Sequence, residues 1–162
     1  MEALLIAIVT WLSANTDLPA DYHLPKIQYS SPLEITYFRY GAFNSTSKKK
    51  VDASQQALPE EARISVVSVY DPENHAIILP TGWTAMTPAE QSVLVHEMVH
   101  HLQKMAQLKF ACPQEREAAA YKAQEKWLRL FGKSLESEFL LDGFTILVNS
   151  NCVIDSAKWS AR

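Results

Sequence analysis

The chain is short of basic charge. Fifteen Lys and Arg stand against eighteen Asp and Glu in 162 residues, a formal net charge of −3 at pH 7. Nucleic-acid proteins carry a basic patch or a high pI, so this balance argues against that class of partner. The one concentrated basic run, Lys48-Lys49-Lys50, follows Asn44-Ser45-Thr46-Ser47 and reads as a solvated loop. Long apolar runs are also missing. Ala3 to Val9 is uninterrupted apolar sequence, but a membrane span needs about 20 such residues. No Lys or Arg precedes Lys26, and Glu2 stands where a signal peptide would carry positive charge. Leu4, Leu5, Ile8, Trp11 and Leu12 instead follow helical spacing, which predicts a packed amphipathic helix from residue 2 to Ala14. Cysteine is scarce, with only Cys112 and Cys152. An isolated pair does not fix the compartment. Each lies at an element end rather than inside an apolar periodic run, which favours a disulfide and a slight lean to an extracytoplasmic location. No internal repeat and no second domain is evident, so residues 1–162 read as one domain with one core.

What is present suggests an α+β chain. Asn15-Thr16-Asp17-Leu18-Pro19 ends the first helix. A short strand follows at Lys26 to Tyr29. Pro32 to Tyr40 suits a helix capped by Ser31, although Ile35 to Phe38 would equally suit a strand. Residues 43–62 show no period and read as a loop. Ile64 to Tyr70 and His75 to Leu79 form a hairpin across Asp71-Pro72-Glu73-Asn74, with Asn74 expected in the left-handed conformation. Thr87-Pro88-Ala89-Glu90 supplies the cap, first-turn proline and capping-box glutamate of a helix lasting to about Gln107. Val93, Leu94, Met98, Leu102 and Met105 are its apolar positions. A second helix runs from Pro113 to about Leu130, closed by Gly132. A third, short one spans Leu135 to Leu141, and Phe144 to Val148 suits a strand or packed tail. Trp83 and Trp127 are assigned to the core.

The stretch that makes a chemical statement is His96-Glu97-Met98-Val99-His100. Residues i and i+4 share one helix face, so both imidazoles can aim at one point, and Glu97 beside them can reach a water there. Catalytic zinc usually takes three protein ligands and keeps one position open. The third ligand must come from another element, and the next helix offers Glu115, Glu117 and Glu125. Glu117 is best placed, because it heads the stripe Glu117, Ala120, Tyr121, Gln124 and Leu128. Ala118, Ala119 and Ala120 would let that helix approach closely, and Glu115 is the reserve ligand. His101 lies about 100° around the helix from His100 and suits packing or support rather than ligation. His23 falls in an irregular, solvated stretch.

His96-Glu97-Met98-Val99-His100, followed by a helix bearing Glu117-Ala118-Ala119-Ala120-Tyr121, resembles the gluzincin metallopeptidases. More particularly, it resembles their smallest members, the minigluzincins, over about residues 62–130. The resemblance implies a zincin-like fold: a small antiparallel or mixed sheet, an active-site helix packed on a glutamate-bearing helix, and helices at both ends of the chain. It implies Zn2+ held by His96, His100 and Glu117, with Glu97 as general base, and a peptide or protein substrate. The strand His75 to Leu79 would be the edge along which an extended peptide adds. Many gluzincins place Asp four residues after the glutamate ligand, to orient the first histidine. Here that position is Tyr121, whose hydroxyl could accept from His96, donate to an oxyanion, or pack between helices. Tyr70, His75 and His101 are further oxyanion-donor candidates. A zinc peptidase and a catalytically silent zinc module that binds a protein partner are the two functional classes the chain suggests.

Overall fold

A computed structural model of the protein describes residues 1–19, 23–39 and 68–152. The architecture is α+β, with six helices and a small mixed sheet of three strands among the described residues. In chain order these are α1 (Glu2–Asn15), β1 (Lys26–Ser30), α2 (Pro32–Arg39), β2 (Val69–Asp71), β3 (Ala76–Pro80), α3 (Pro88–Met105), α4 (Glu117–Arg129), α5 (Leu135–Phe139) and α6 (Gly143–Ser150). The loop expected over residues 43–62, the hairpin residues 64–67 and the chain after Cys152 lie outside the described residues. No described helix is long and apolar enough to cross a membrane.

The sheet sits between two helical layers because its strands alternate faces. Ile77 and Leu79 point one way, into a core with Leu5, Ile8 and Leu12 of α1 and Leu94, Met98 and Leu102 of α3. Ile78 and Val69 point the other way, against Ile35 and Phe38 of α2. Residues 32–39 are therefore helical, opened by Ser31 and closed reciprocally by the Glu34 carboxylate, which accepts from the Ser31 backbone N–H at 3.0 Å. On the far side of α3 lies α4, and α5 and α6 pack on α4. Trp83 and Trp127 belong to the core, as expected. Met98 and Leu102 are almost wholly buried, where truncation to alanine costs about 2–5 kcal/mol.

Several expectations are corrected. The strand order is β1-β3-β2, with β3 parallel to β1 and antiparallel to β2. Among the described residues β3 is thus the central strand, and His75 to Leu79 is not an open edge. The hairpin turn is also shifted. β2 continues through Asp71, whose carboxylate accepts from the backbone N–H groups of Glu73 and Asn74. The left-handed residue is consequently His75, at φ 50°, rather than Asn74. The second central helix begins at Glu117, not Pro113, because residues 113–116 form turns ahead of it. Its end is a Schellman motif: Gly132 adopts φ 69°, while Lys133 and Gly132 donate to the carbonyls of Leu128 and Arg129. Of the three alanines, only Ala120 is buried toward α3, joined by Ala123. Residues 144–148 are helical. Asp142 caps α6 by accepting from Thr145 N at 2.7 Å, and the apolar run packs through Ile146 on Leu128 and Leu135.

Cys112 and Cys152 form a disulfide, with Cα atoms 5.7 Å apart. It ties the end of α6 to the turn that precedes α4. Closing a loop of this separation, 40 residues, stabilises the fold by about 4 kcal/mol in the chain-entropy picture.

Candidate metal centre

The site begins with a well-made helix. Thr87 accepts from Glu90 N at 3.1 Å, and the Glu90 carboxylate accepts from Thr87 N at 3.2 Å, a complete capping box ahead of Pro88. Hydrogen bonds from the Thr84 backbone N–H and hydroxyl, joined by those from Thr87, hold the half-buried Glu90 carboxyl below its usual range. From this start, three and a half turns of α3 separate the cap from His100. His96 and His100 lie one turn apart and meet edge to face, with ring centroids 4.9 Å apart. Glu117, in the first turn of α4, projects between them.

The three side chains meet closely. Glu117 Oε2 lies 3.1 Å from His96 Nε2 and 3.2 Å from His100 Nε2, and the two Nε2 atoms are 3.2 Å apart. Ligand atoms about 2.0–2.1 Å from a tetrahedral zinc stand roughly 3.3 Å from one another, so the triangle has the right size for one ion. All three residues are less than a tenth exposed, and together they can hold a metal. Burial alone would raise the Glu117 carboxyl, but hydrogen bonds and charge from His100 and His96 outweigh it and hold the group far below its usual range. Burial likewise opposes charge on His100, yet Glu117 beside it leaves the imidazole raised above its ordinary value. The pocket attracts positive charge.

The hydrogens around the imidazoles can be assigned from their neighbours. Gln103 Nε2 donates to the Arg116 carbonyl at 2.9 Å, and a carbonyl can only accept. The Gln103 amide is therefore oriented with its oxygen toward His100 Nδ1, 3.0 Å away, which must donate. Ser92 Oγ donates its single proton to the Ala89 carbonyl at 2.7 Å. It can only accept from Gln124 Nε2, at 3.3 Å, so the Gln124 oxygen faces His96 Nδ1 at 3.0 Å. With both imidazoles neutral, both Nε2 atoms present lone pairs to the Glu117 carboxylate. In that state three electron-pair donors converge, an arrangement suited to a cation, whereas a proton on either Nε2 is donated to Glu117.

The other carboxylates are engaged elsewhere. Glu115 accepts from Ala111 N at 2.6 Å on the surface. Glu125 pairs with Arg129 and accepts from Leu135 N. The second oxygen of Glu117 is met by Arg116 Nε at 3.3 Å. Glu97, buried next to His96, accepts from Ser68 Oγ at 2.6 Å through Oε1. Ser68 precedes β2, and Tyr70 two residues on contacts His101, so one face of this segment runs along Glu97 and His101 of α3.

Tyr121 lies edge-on to His96, with ring centroids 5.0 Å apart. The partner of His96 Nδ1 is Gln124, however, which corrects the reading that the Tyr121 hydroxyl accepts from it. Tyr70, His75 and His101 form a separate chain. His101 Nε2 donates to the His23 carbonyl at 2.7 Å, leaving its Nδ1 to accept from the Tyr70 hydroxyl at 3.2 Å. That hydroxyl in turn accepts from His75 Nδ1, also at 3.2 Å. Burial, with Asp71 nearby, pushes Tyr70 up to about 12, and burial pushes His101 down. His23 itself is exposed, as expected.

Sequence reasoning missed Gln103, Ser92 and Ser68, and it named Gln124 only as part of a stripe. The glutamines carried a usable signal, since Gln103 follows His100 by three residues and Gln124 shares the face of Glu117. Ser68 carried none, because its meeting with Glu97 is made by the sheet. A cavity of about 220 Å³, lined by Gln28, Tyr29, Glu34 and Phe38 among others, lies on the α2 side of the sheet and contains no ligand residue. No curated protein and no solved structure matches the chain. A family described as a domain of unknown function, DUF6647, matches residues 1–156, and the chain belongs to that family.

Proposed function

We propose that the protein is a zinc-dependent hydrolase of minimal gluzincin type, cleaving peptide bonds in a zincin-like fold. The observation that carries this reading is the convergence of three buried donor atoms, His96 Nε2, His100 Nε2 and Glu117 Oε2, each within 3.2 Å of the others, while a fourth group, Glu97, is held beside them by Ser68. His96, His100 and Glu117 would hold the zinc. Zinc so held supplies Lewis acidity, polarising a carbonyl and bringing the pKa of water toward about 7.

The residues of the chain do the rest. Glu97 accepts the proton of the attacking water and returns it to the leaving amine. Ser68 holds the Glu97 carboxylate by one oxygen and leaves the other for that proton. Tyr121, the candidate whose ring touches a ligand, is the donor to the developing oxyanion. Tyr70 and His101 are poorly suited, since the hydroxyl proton of one is given to the other. An extended peptide would pair along β2, the outer strand on the Glu97 side among the described residues. The disulfide supports an extracytoplasmic location, because oxidising compartments preserve such bonds.

One observation favours the second reading, a silent zinc module that binds a protein partner: the Ser68 contact occupies a Glu97 oxygen at 2.6 Å. The two are separated by incubating the zinc-loaded protein and Glu97→Gln with a peptide library. Turnover by the native protein alone is expected. Equal turnover, or none by either, would sink the peptidase reading.

A further inference from the structure

The two histidine ligands are backed by amides rather than carboxylates, and the amides end on chemically different anchors. The path from His100 runs through Gln103 to the backbone carbonyl of Arg116, the residue next to Glu117. The path from His96 runs through Gln124 to the Ser92 hydroxyl. Gln103, Gln124 and Ser92 are all buried, at 3%, 5% and 0% exposure, so water does not readily substitute for any of these partners. We propose that Gln103 and Gln124 are the positioning residues of the centre: each fixes its histidine with the proton on Nδ1 and the lone pair on Nε2, and the two paths differ in whether they tolerate a charge. This rests on the metal reading only for its affinity consequences; the tautomers are a property of the chain by itself.

The difference follows from what each anchor can do. A hydroxyl can donate or accept. If Gln124 becomes Glu, the Ser92 proton can turn from the Ala89 carbonyl toward the new carboxylate, and His96 Nδ1 keeps a stronger acceptor. A backbone carbonyl cannot turn. If Gln103 becomes Glu, a carboxylate oxygen faces the Arg116 carbonyl at a position now held at 2.9 Å, two acceptors with no proton between them. Relief requires moving the side chain away from His100 or moving residue 116, which carries Glu117 with it. Gln103 therefore couples one histidine ligand to the segment that delivers the carboxylate ligand.

The test uses the full chain, zinc alone as probe in a chelator competition, and long-range 15N NMR of the histidine rings. In the metal-free parent, at a pH where the 15N shifts report neutral imidazoles, His96 and His100 should both be protonated on Nδ1. Gln124→Leu and Gln103→Leu should each weaken zinc about 10–100-fold. Gln124→Glu should return to parental affinity or better, while Gln103→Glu should remain as weak as Gln103→Leu. Leucine variants that bind zinc like the parent, a Gln103→Glu variant that binds as well as Gln124→Glu, or Nε2–H tautomers in the parent would each overturn the proposal. Should a leucine variant fail to fold, the parental tautomers and the two glutamate variants still decide it. Nδ1–H tautomers in a parent that binds no zinc would uphold the positioning and defeat the metal reading; Nε2–H tautomers in a parent that binds zinc would do the reverse.

Discussion

Two groups of histidines meet on neighbouring faces of α3, and they are built on opposite principles. In the chain His75–Tyr70–His101–His23, each contact has one donor and one acceptor, and protons are passed in a single direction to a carbonyl. In the cluster His96–His100–Glu117, both Nδ1–H groups donate to glutamine oxygens, and with both imidazoles neutral every inward atom is an acceptor. Both clusters are rich in imidazole, but the first is buried only at Tyr70 and His101 and exposed at His75 and His23, whereas the second is buried throughout. Among the described residues only the second brings three possible ligand atoms to one point. The number of histidines is thus a poor guide to a candidate metal site, and the convergence of their ligand atoms with a carboxylate is a better one.

The sharpest way to break this comparison is to truncate one member of each cluster. Glu117→Ala should lose stoichiometric zinc in elemental analysis, while His101→Leu should retain it. Metal retained by the first variant, or lost by a folded second one, would dissolve the distinction. The next effect is on stability. His101→Leu leaves the Tyr70 hydroxyl and the His23 carbonyl without their partner, which should cost about 2 kcal/mol in urea denaturation. The smallest effect is one of pH. Burial holds His101 below its ordinary value of 6.5, so the unfolded chain takes up its proton first. Stability from this residue is present above that value and is lost as pH falls toward the lower folded-state value. The stability gap between parent and His101→Leu should therefore shrink as pH falls below about 6.5. A constant gap would show that His101 does not carry the dependence.

The site was legible in proportion to how local it is. His96, Glu97 and His100 sit on one capped helix, and both the capping box at Thr87 and the helical spacing are written in consecutive residues. Glu117 could be chosen over Glu115 and Glu125 because helical periodicity put it on a stripe with Ala120 and Gln124. The start of α4 was placed too early, since nothing in residues 113–116 announces turns rather than a first helical turn. Residues 144–148 carried an apolar run without a period, which cannot separate strand from helix until packing on Leu128 and Leu135 decides it.

The sequence by itself determined the α+β composition, the capped helix that bears His96 and His100, and the three residues that can hold a metal, because each depends on spacing within one or two elements. Only the tertiary structure decided that β3 is central, that Ser68 meets Glu97, that Cys112 reaches Cys152, and that Gln124 rather than Tyr121 backs His96. Strand order and long-range hydrogen bonds join residues many positions apart, and no local period encodes which partner a buried donor will find.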